Sequence, residues 1–487
     1  MSVPEKANFR RKDMMHKGRK ARNVIAPIAA ALMLAVSGLA QPDSEKILYT
    51  FPGGRGGGSA GVNFISDAAG NLYGTTFGGG NNSKGCESAT GIPGCGTVFE
   101  LISHTDGTWT KTLLHVFTGG SDGAIPAGGV VMDSAGNLYG TTWFGGDKKS
   151  KNCRGSGLPA GCGVVYELTP TPHGPWQQTV LYTFTGGNDG GWPFAGVILD
   201  SSGNLYGAGS YFGAFYNGVI FQLSPNGQGP WTENVLYAFT GASDGGVPYG
   251  AVTFDSAGNL YGVTAGGGDL FVSCFYTPGC GVVFKLSLSG GQWTETVMHV
   301  FTGGADGAYP LLALTVNQHG AVFGSTAYGG NTSAPNCLGG YGINTPAGCG
   351  VVFKLDPQAH GQNGETVLYT FNGGSDGAFA GSPVMFDSAG NLYGVTGNGG
   401  DYSGPCMVGS QISGCGVVFK LTPASKGPWT ESVLYTFTGG SDGAGPETNL
   451  IFDSAGDIFG TTESGGNTSV CSGNFSGPGC GVIFELQ

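Results

Sequence analysis

Residues 133–142 read Asp-Ser-Ala-Gly-Asn-Leu-Tyr-Gly-Thr-Thr, and versions of this segment recur along the chain. Its first half predicts a tight hairpin, because Gly and Asn accept a positive φ and the Asp side chain can cap its own turn. Its second half predicts a strand, because it contains apolar, aromatic and β-branched residues. The segment starts seven times, with spacings of 55 to 70 residues, at Asp67, Asp133, Asp200, Asp255, Asn317, Asp387 and Asp453.

Two further motifs complete the repeat. Downstream of each hairpin lies a version of Cys-Gly-Val-Val-Phe-Glu-Leu, and in all but the last repeat a version of Val-Leu-Tyr-Thr-Phe follows. The second repeat therefore predicts four short strands, at residues 129–133, 137–142, 163–168 and 176–184. Four antiparallel strands in each unit at this period are typical of a β-propeller blade, and seven copies fall within the usual number of blades.

The two ends of the chain indicate how the repeats are arranged. The last repeat stops at Gln487, after its third strand, while residues 46–51 form an isolated fourth strand at the other end. If these strands pair, a ring closes and two exposed sheet edges disappear. We therefore predict an all-β, seven-bladed β-propeller with four-stranded antiparallel blades, formed as a single domain by residues 41–487. An open β-solenoid and two stacked β-sandwiches are the alternatives.

The composition agrees with a turn-rich β protein. The 487 residues include 97 Gly, 29 Phe, 19 Tyr and 7 Trp, and only 11% are charged. Collagen is excluded because Gly does not recur at every third position. So many aromatic side chains argue against disorder, and Gly at this frequency argues against helical bundles, where each Gly costs roughly 1 kcal/mol relative to Ala.

The first 40 residues have the layout of a secretory signal peptide. Eight basic residues precede an apolar run at residues 24–36, and small residues stand at the −3 and −1 positions of a cut after Ala40. An uncleaved amino-terminal anchor is the alternative. We expect an exported protein in the extracellular space, the periplasm or at the cell surface. No other stretch approaches 18 apolar residues, so no membrane span is expected after cleavage.

Cleavage would leave a strongly acidic chain. Residues 41–487 hold 12 basic and 30 acidic side chains, a net charge of −18. Such a surface argues against nucleic acid as a partner, because nucleic acid binding needs clustered Lys and Arg.

The 12 cysteines follow the repeat. Each pair lies between a second and a third strand, and the third repeat has lost both members together. Because an exported protein meets an oxidising environment, the pattern predicts six disulfides within blades. Zinc or iron–sulfur ligation is the alternative, but the seven histidines are scattered and no Cys-x-x-Cys occurs. The predicted pairs are Cys86/Cys95, Cys153/Cys162, Cys274/Cys280, Cys337/Cys349, Cys406/Cys415 and Cys471/Cys480.

The repeated pattern Asp-Ser-Ala-Gly-Asn-Leu-Tyr-Gly-Thr-Thr, Gly-Cys-Gly-Val-Val-Phe-Glu-Leu and Val-Leu-Tyr-Thr-Phe-Thr-Gly-Gly-Ser-Asp-Gly-Ala resembles the GloVer tandem-repeat family of exported bacterial proteins. The resemblance covers residues 46–487. It implies export and a repeat fold. It implies no catalytic residue, because the family has none established.

One candidate binding site lies in the Thr-Gly-Gly-Ser-Asp-Gly loops that lead from one blade to the next. In a propeller these crossover loops share a face with the connections between second and third strands. Their carboxylates could hold Ca²⁺ or a polar ligand. The alternative is plain turn chemistry, favoured because no Asp-x-Asp-x-Asp-Gly run occurs. We therefore predict no cofactor, with Ca²⁺ as the alternative and metal binding left open. The six acids are Asp122, Asp189, Asp244, Asp306, Asp376 and Asp442.

A second candidate site consists of aromatic residues in the variable loops of repeats two to four. Exposed rings there could stack on sugars or anchor a protein partner. The alternative is that they pack over their own disulfide loops. The residues proposed for ligand binding are Trp143, Trp192, Tyr211 and Phe271, with Phe144, Phe212, Phe215, Tyr216 and Tyr276 beside them.

Uniform repeats favour binding over catalysis, because catalysis usually makes one blade depart from the others. We predict a secreted, non-enzymatic scaffold that binds a glycan or protein on its disulfide-rich face. An extracellular polysaccharide lyase or hydrolase with acids near the axis is one alternative. A structural cell-surface component without a discrete ligand is the other.

Overall fold

The computed structural model describes residues 44–61, 63–81, 86, 93–153, 159–172, 174–227, 229–274, 277–337, 347–356, 364–408, 411–469, 471 and 478–487. All of them belong to one compact unit, Pro42–Gln487. The predicted signal peptide, residues 1–40, lies outside the described residues.

The described chain forms seven four-stranded antiparallel blades. It begins with β1 (Glu45–Thr50), a 3₁₀ turn at Gly54–Gly56 and β2 (Gly58–Ala60). Blades 1 to 6 follow in chain order, each from its inner to its outer strand, and blade 7 contributes three more strands. Blade 1 contains β3 (Ile65–Ser66), β4 (Leu72–Gly78), β5 (Thr97–Ser103) and β6 (Trp109–Val116); blade 2 contains β7 (Val130–Met132), β8 (Leu138–Thr142), β9 (Val164–Thr169) and β10 (Gln177–Thr183); blade 3 contains β11 (Ile198–Leu199), β12 (Leu205–Gly209), β13 (Val219–Asn226) and β14 (Gly229–Ala238).

Blades 4 and 6 each contain a short additional hairpin between their second and third main strands, and blades 4 to 7 otherwise follow the same order. Their strands are β15 (Thr253–Phe254), β16 (Leu260–Thr264), β17 (Ser273–Cys274), β18 (Thr277–Pro278), β19 (Val282–Ser289) and β20 (Gln292–Val300) in blade 4; β21 (Thr315–Val316), β22 (Val322–Ser325), β23 (Val351–Leu355) and β24 (Glu365–Thr370) in blade 5; β25 (Met385–Phe386), β26 (Leu392–Thr396), β27 (Met407–Val408), β28 (Gln411–Ile412), β29 (Val417–Thr422) and β30 (Thr430–Thr436) in blade 6; and β31 (Ile451–Phe452), β32 (Ile458–Thr461) and β33 (Val482–Leu486) in blade 7.

The first strand of the described chain completes the last blade. β1 pairs antiparallel with β33, with Glu45 opposite Leu486 and Thr50 opposite Val482. Blade 7 therefore has four main strands like the others, and in blade 1 the short β2 adds a fifth by pairing with β4. Closure covers a sheet edge that would otherwise expose unpaired backbone groups. This pairing confirms the predicted seven-bladed propeller.

The same aromatic pair stabilises every blade interface. In blade 2, Phe184 follows the outer strand and meets Phe221 of blade 3 edge-to-face, with ring centroids 5.2 Å apart. Such a pair contributes about 0.5–1.5 kcal/mol beyond its buried area. The pairs are Phe51–Phe99, Phe117–Tyr166, Phe184–Phe221, Phe239–Phe284, Phe301–Phe353, Phe371–Phe419 and Phe437–Phe484.

The Gly of the Leu-Tyr-Gly motif makes room for these rings. A Cβ on Gly207 would lie 2.6 Å from Cζ of Phe221, and one on Gly460 would lie 2.2 Å from Cζ of Phe484. Because a ring covers the strand at this point, a side chain there would displace the aromatic pair.

The recurring Asp caps its hairpin, as the sequence predicts. Oδ1 of Asp133 accepts backbone N–H bonds from Ala135 and Asn137, both at 2.9 Å. Oδ2 accepts from the Asn137 amide at 2.8 Å and from the Tyr139 hydroxyl at 3.1 Å. The motif Asp-Ser-Ala-Gly-Asn-Leu-Tyr is thus one hydrogen-bonded unit.

Candidate functional site

Six disulfides lie in the connections between second and third strands. They join the six predicted pairs, with Cα–Cα distances of 4.9–5.3 Å, and no described cysteine is free. These bonds confirm the predicted disulfide pattern.

Five of the six disulfides pack against the crossover loop of their own blade. A Cβ on Gly186 would lie 2.5 Å from Sγ of Cys153, and one on Gly119 would lie 2.7 Å from Sγ of Cys95. The same contact recurs at Gly303, Gly373 and Gly439. Crossover loops and disulfide loops therefore share one face of the ring, the disulfide-bearing face.

An amide replaces the disulfide in blade 3. Nδ2 of Asn217 donates to the carbonyl oxygens of Phe215 and Thr240, both at 2.8 Å. A Cβ on Gly241 would lie 2.5 Å from the Asn217 amide carbon, so the side chain fills the volume that sulfur occupies elsewhere. Blade 3 holds its short loop by hydrogen bonds where other blades use a covalent bond.

The six crossover acids are directed at their own loops. Oδ2 of Asp122 accepts from the Thr118 N–H at 2.7 Å, and Oδ1 accepts from the Thr118 hydroxyl and from the Gly120 N–H at 3.1 Å. Burial raises the pKa of Asp122, but the neighbouring His115 side chain and hydrogen bonds from Thr118 and Gly120 lower it overall. These bonds agree with the turn interpretation, and ligand binding by the acids remains a prediction. Bonds to the residue four positions earlier recur at Asp189, Asp244, Asp306, Asp376 and Asp442.

A ring of left-handed residues surrounds the axis on the disulfide-bearing face. Trp192 has a φ of 53°, and its N–H donates to the carbonyl of Cys162 in the preceding blade at 2.8 Å. In blade 3, Asn217 takes the place of the second Cys. The donor and acceptor pairs are Ser59–Cys480, Ile125–Cys95, Trp192–Cys162, Val247–Asn217, Tyr309–Cys280, Phe379–Cys349 and Gly445–Cys415.

Aromatic side chains meet at the centre of this face. The ring of Phe77, in blade 1, lies 6.4 Å from Phe194, which leads into blade 3. Two blades that are not neighbours can approach this closely only near the axis. The Tyr211 and Tyr249 hydroxyls lie 2.8 Å apart. We call this set the central aromatic cluster; it comprises Phe77, Trp143, Trp192, Phe194, Tyr211 and Tyr249.

The predicted aromatic residues divide into two groups. Trp143, Trp192 and Tyr211 are half-buried in the central aromatic cluster, and Phe144 beneath them is buried. Phe271 in the blade 4 loop is fully exposed. Two side chains of blade 3 are also exposed, Phe215 at 53% and Tyr216 at 73%. Tyr276 lies outside the described residues.

Carboxylates take the aromatic positions in blade 7. Glu447 follows the left-handed Gly445 by two residues, as Phe194 follows Trp192. The N–H of Glu463 donates to the Gly445 carbonyl at 3.1 Å. Burial raises the pKa of Glu447 to about 7. The positions around the axis on the disulfide-bearing face are therefore aromatic in several blades and acidic in blade 7.

A carboxylate pair that was not predicted from the sequence recurs at the seams, the interfaces between neighbouring blades. In each such seam a Glu on one outer strand faces the crossover Asp of the preceding blade, and burial raises the pKa of the Glu to about 7. One oxygen of each has no hydrogen-bond partner among the described residues. The sequence does contain a pattern from which these glutamates could have been found, because Thr-Glu or Glu-Thr recurs at the start of fourth strands. The five residues are Glu45, Glu233, Glu295, Glu365 and Glu431.

The other two seams differ. Gln178 occupies the position beside Asp122 and donates to the Asp122 backbone carbonyl at 2.8 Å. Lys111 occupies the last seam, with Nζ 4.7 Å from the Phe51 ring centroid, and burial lowers its pKa to about 7.

The seam between blades 4 and 5 contains a histidine. Nε2 of His299 lies 3.4 Å from Oδ2 of Asp306 and 3.6 Å from Oε2 of Glu365. Within the described parts of the chain, these three residues form the one group of His, Cys, Asp or Glu side chains arranged closely enough to hold a metal ion. In four other blades a Tyr stands at the His299 position and donates to the Asp, at Tyr182, Tyr237, Tyr369 and Tyr435.

Across the ranges that the structure describes, we find no helix with the length and hydropathy needed to cross a bilayer.

Several solved structures of low sequence identity resemble the chain. A protein of unknown function from Dyadobacter fermentans has 11% identity and a TM-score of 0.42, covering 92% of this chain and 99% of its own. A calcium structure of the Trichoderma reesei carbohydrate-active enzyme family AA12 has 12% identity and a TM-score of 0.41, covering 92% and 96%. A gluconolactonase from Xanthomonas campestris has 13% identity and a TM-score of 0.36, covering 72% and 85%.

No curated protein matches the sequence significantly. The sequence model of the Gloeobacter/Verrucomicrobia repeat matches residues 85–336 and, overlapping them, residues 152–404. The two matches together span about two thirds of the 487 residues. The repeat pattern, the blades and these matches agree, and the chain belongs to the Gloeobacter/Verrucomicrobia repeat family.

Proposed function

We propose that this protein is an exported, non-enzymatic scaffold that binds a carbohydrate at the centre of its disulfide-bearing face. The observation that carries the proposal is the convergence of aromatic rings from several blades on one point near the axis, with carboxylates at the corresponding positions of blade 7.

Aromatic rings suit the apolar faces of sugars. In the central aromatic cluster the rings of Phe194 and Tyr249 lie edge-to-face, with centroids 5.5 Å apart, and both side chains are half-buried. Burial and the neighbouring Tyr211 and Tyr309 hydroxyls raise the pKa of Tyr249, so its hydroxyl stays protonated and can donate a hydrogen bond. Aromatic residues with one apolar face and one polar group are well suited to recognition sites.

The acids restrict the charge of the ligand. Glu447 and Glu463 occupy the blade 7 side of the ring, and the chain carries 12 more acidic than basic residues. Carboxylates accept hydrogen bonds from sugar hydroxyls but repel uronate and phosphate groups. A neutral or amino sugar fits this site better than an acidic polysaccharide.

The scaffold around the site is held in place by backbone hydrogen bonds. Trp192 donates from its backbone to Cys162 at 2.8 Å, and its indole N–H donates to the Gly161 carbonyl at 3.3 Å. A site that is already ordered loses little conformational entropy when a ligand binds. Disulfides on the binding face thus favour affinity as well as stability.

A glycan array containing neutral, amino and acidic glycans tests this proposal. We expect binding to neutral or amino glycans, and loss of that binding in F194A and Y249A. F271A is the matched control, because Phe271 is a fully exposed aromatic residue outside the cluster. Loss of binding in F271A alone would move the site to the loops of blades 3 and 4, and no binding by the wild-type chain would contradict a carbohydrate ligand.

Export is part of the same proposal. Six disulfides within blades fit an oxidising compartment, and residues 1–40 have the layout of a signal peptide. Amino-terminal sequencing of the folded protein after cell fractionation tests it. We expect the chain to start at Gln41 outside the cytoplasm; a chain that starts at Met1 and stays membrane-attached would support the uncleaved anchor.

A second function, glycoside cleavage, is favoured by one observation. Burial raises the pKa of Glu447 to about 7, as a general acid requires at neutral pH. Its Oε1 lies 2.8 Å from the place that a Cβ on Gly397 would take. Turnover on neutral and acidic polysaccharides that is lost in E447Q but kept in E233Q would establish this alternative over a binding role.

A further inference from the structure

We propose that His299, Asp306 and Glu365 form a binding site for a divalent first-row transition metal, such as Zn²⁺, at the seam between blades 4 and 5. His299 lies on the outer strand β20 of blade 4 and Glu365 on the outer strand β24 of blade 5. Asp306 lies in the crossover loop that leads from β20 into blade 5. The site is separate from the carbohydrate site proposed above.

The spacing of the three side chains fits a shared ion. Nε2 of His299 lies 3.4 Å from Oδ2 of Asp306 and 3.6 Å from Oε2 of Glu365, and one atom from each side chain lies within 4.8 Å of the other two. Direct hydrogen bonds between such charged groups are shorter, at about 2.7–2.9 Å. A tetrahedral ion with bonds of about 2.0–2.1 Å separates its ligand atoms by about 3.3–3.4 Å, close to the two observed values.

The buried His299 imidazole needs a partner for its polar atoms. The His299 side chain is 2% exposed, and neither ring nitrogen has a hydrogen-bond partner among the described residues. A buried polar group without a partner is destabilising, and a bound water or ion commonly satisfies such a group. Since Nε2 lies within 3.6 Å of two carboxylates, a cation between the three groups would satisfy it.

The donor set selects the class of metal. One imidazole nitrogen and two carboxylate oxygens suit Zn²⁺ and its first-row neighbours, whereas Ca²⁺ takes six to eight oxygen ligands. Three protein ligands leave a fourth position for water. Thr302, which is not one of the three proposed ligands, holds the Asp306 carboxylate in place. The carboxylate accepts hydrogen bonds from the Thr302 N–H at 2.8 Å and from the Thr302 hydroxyl.

The repeats supply an internal comparison. His115 and Asp122 reproduce the first two ligands, with Nε2 3.5 Å from Oδ2, but the third position holds Gln178. In the seams with a Tyr, the hydroxyl donates directly to the Asp, at 3.1–3.3 Å. Among the described seams, the one between blades 4 and 5 combines His, Asp and Glu.

The competing explanation is a structural imidazolium paired with two carboxylates and no metal. Metal binding by the untagged full chain distinguishes the two. After treatment with EDTA and dialysis, we expect isothermal titration with Zn²⁺ to give one equivalent per chain. The same protein with Co²⁺ should show the visible absorption of a tetrahedral nitrogen–oxygen site.

Two variants copy residues that other repeats already use, so both are expected to fold. H299Y and E365Q should each weaken Zn²⁺ binding by at least about tenfold and remove the Co²⁺ absorption. H115Y is the matched control and should bind like the wild-type chain. Q178E should add a second equivalent, since it completes the His115–Asp122 pair.

A wild-type chain that takes up no Zn²⁺, or an H299Y chain that binds it as tightly as wild type, would overturn the proposal in favour of the imidazolium. A Q178E chain that stays at one equivalent would contradict the role given to the third carboxylate. Because the glycan assay uses other residues, either proposal can fail without the other.

Discussion

The backbone N–H of Trp192 donates to the carbonyl oxygen of Cys162 across 2.8 Å, although Trp192 holds a positive φ of 53°. Non-Gly residues in this region carry a strain of about 1–2 kcal/mol, and β-branched residues such as Ile125 and Val247 are the least suited to it. The strained conformation persists because the hydrogen bond to the Cys162 carbonyl of the preceding blade holds the Trp192 N–H in place. A disulfide in one blade therefore positions the first residues of the next.

Removing the disulfide of blade 2 should loosen the start of blade 3. The double variant C153S/C162S should lose about 2–3 kcal/mol of unfolding free energy, the value expected for a loop of this size. Amide hydrogen exchange should also become faster at Trp192, whose acceptor carbonyl belongs to Cys162. Exchange at Phe379, which is anchored to a different disulfide, serves as the control. If the Trp192 amide exchanged no faster in the double variant than in wild type, the coupling would be contradicted.

Blade 3 should depend on Asn217 as the other blades depend on their disulfides. N217A removes two hydrogen bonds to backbone carbonyls and leaves a space beside Gly241. We expect a loss of about 1–3 kcal/mol, because a neutral hydrogen bond contributes about 0.5–1.5 kcal/mol and its removal also leaves acceptors unpaired. Reduction of the wild-type protein with a thiol should leave this loop unchanged. Denaturant unfolding measures the effect of N217A, and amide hydrogen exchange in the blade 3 loop measures the effect of reduction; an N217A chain as stable as wild type would refute the interpretation.

Closure of the ring should depend on β1. Phe51 is fully buried against Phe99, and β1 covers the edge of β33. F51A should lose about 3–5 kcal/mol of unfolding free energy. F271A removes an exposed ring and should change stability by less than about 0.5 kcal/mol.

Deletion of β1 tests the closure itself. A chain that starts at residue 52 exposes β33 as an unpaired edge and should self-associate. A synthetic peptide of residues 44–51, added in trans, should restore the monomer. Light scattering measures the outcome, and a truncated chain that stays monomeric without the peptide would show that β1 is dispensable.

The repeated segments made the architecture predictable, because strands, hairpins and disulfides each depend on residues close in sequence. The Asp133 cap joins residues at most six positions apart, and Cys153 and Cys162 are nine apart. Even the pairing of residues 46–51 with the end of the chain followed from counting strands.

The candidate sites were harder to predict because they combine residues from different blades. Phe77 and Phe194 are far apart in sequence and meet only because both lie near the axis. Likewise, His299 is a plain substitution for Tyr in its strand, and only the neighbouring blade places Glu365 beside it. Contacts of this kind depend on how blades are rotated against each other, which a single repeat does not encode.

The acids at the blade seams should make stability fall as pH rises. Burial raises the pKa of Glu233 from 4.5 to about 7, so the folded chain keeps a proton that the unfolded chain has lost. Stability is therefore greatest below pH 4.5 for this group and declines up to about pH 7. Asp189 and Tyr182 face the same seam, and the Asp189 charge adds to the cost of ionising Glu233.

E233Q should remove this pH dependence. Gln stands at the corresponding position 178 and donates a hydrogen bond to the Asp122 backbone, so the substitution suits the seam. At pH 8 we expect E233Q to be more stable than wild type by on the order of 1 kcal/mol, after allowing for solvent screening of a partly exposed group. At pH 5 the two chains should be nearly equal. E431Q should act alike and additively, because its seam is distant. Chemical denaturation at both pH values measures this, and a difference that does not change with pH would show that burial leaves the Glu233 carboxyl unperturbed.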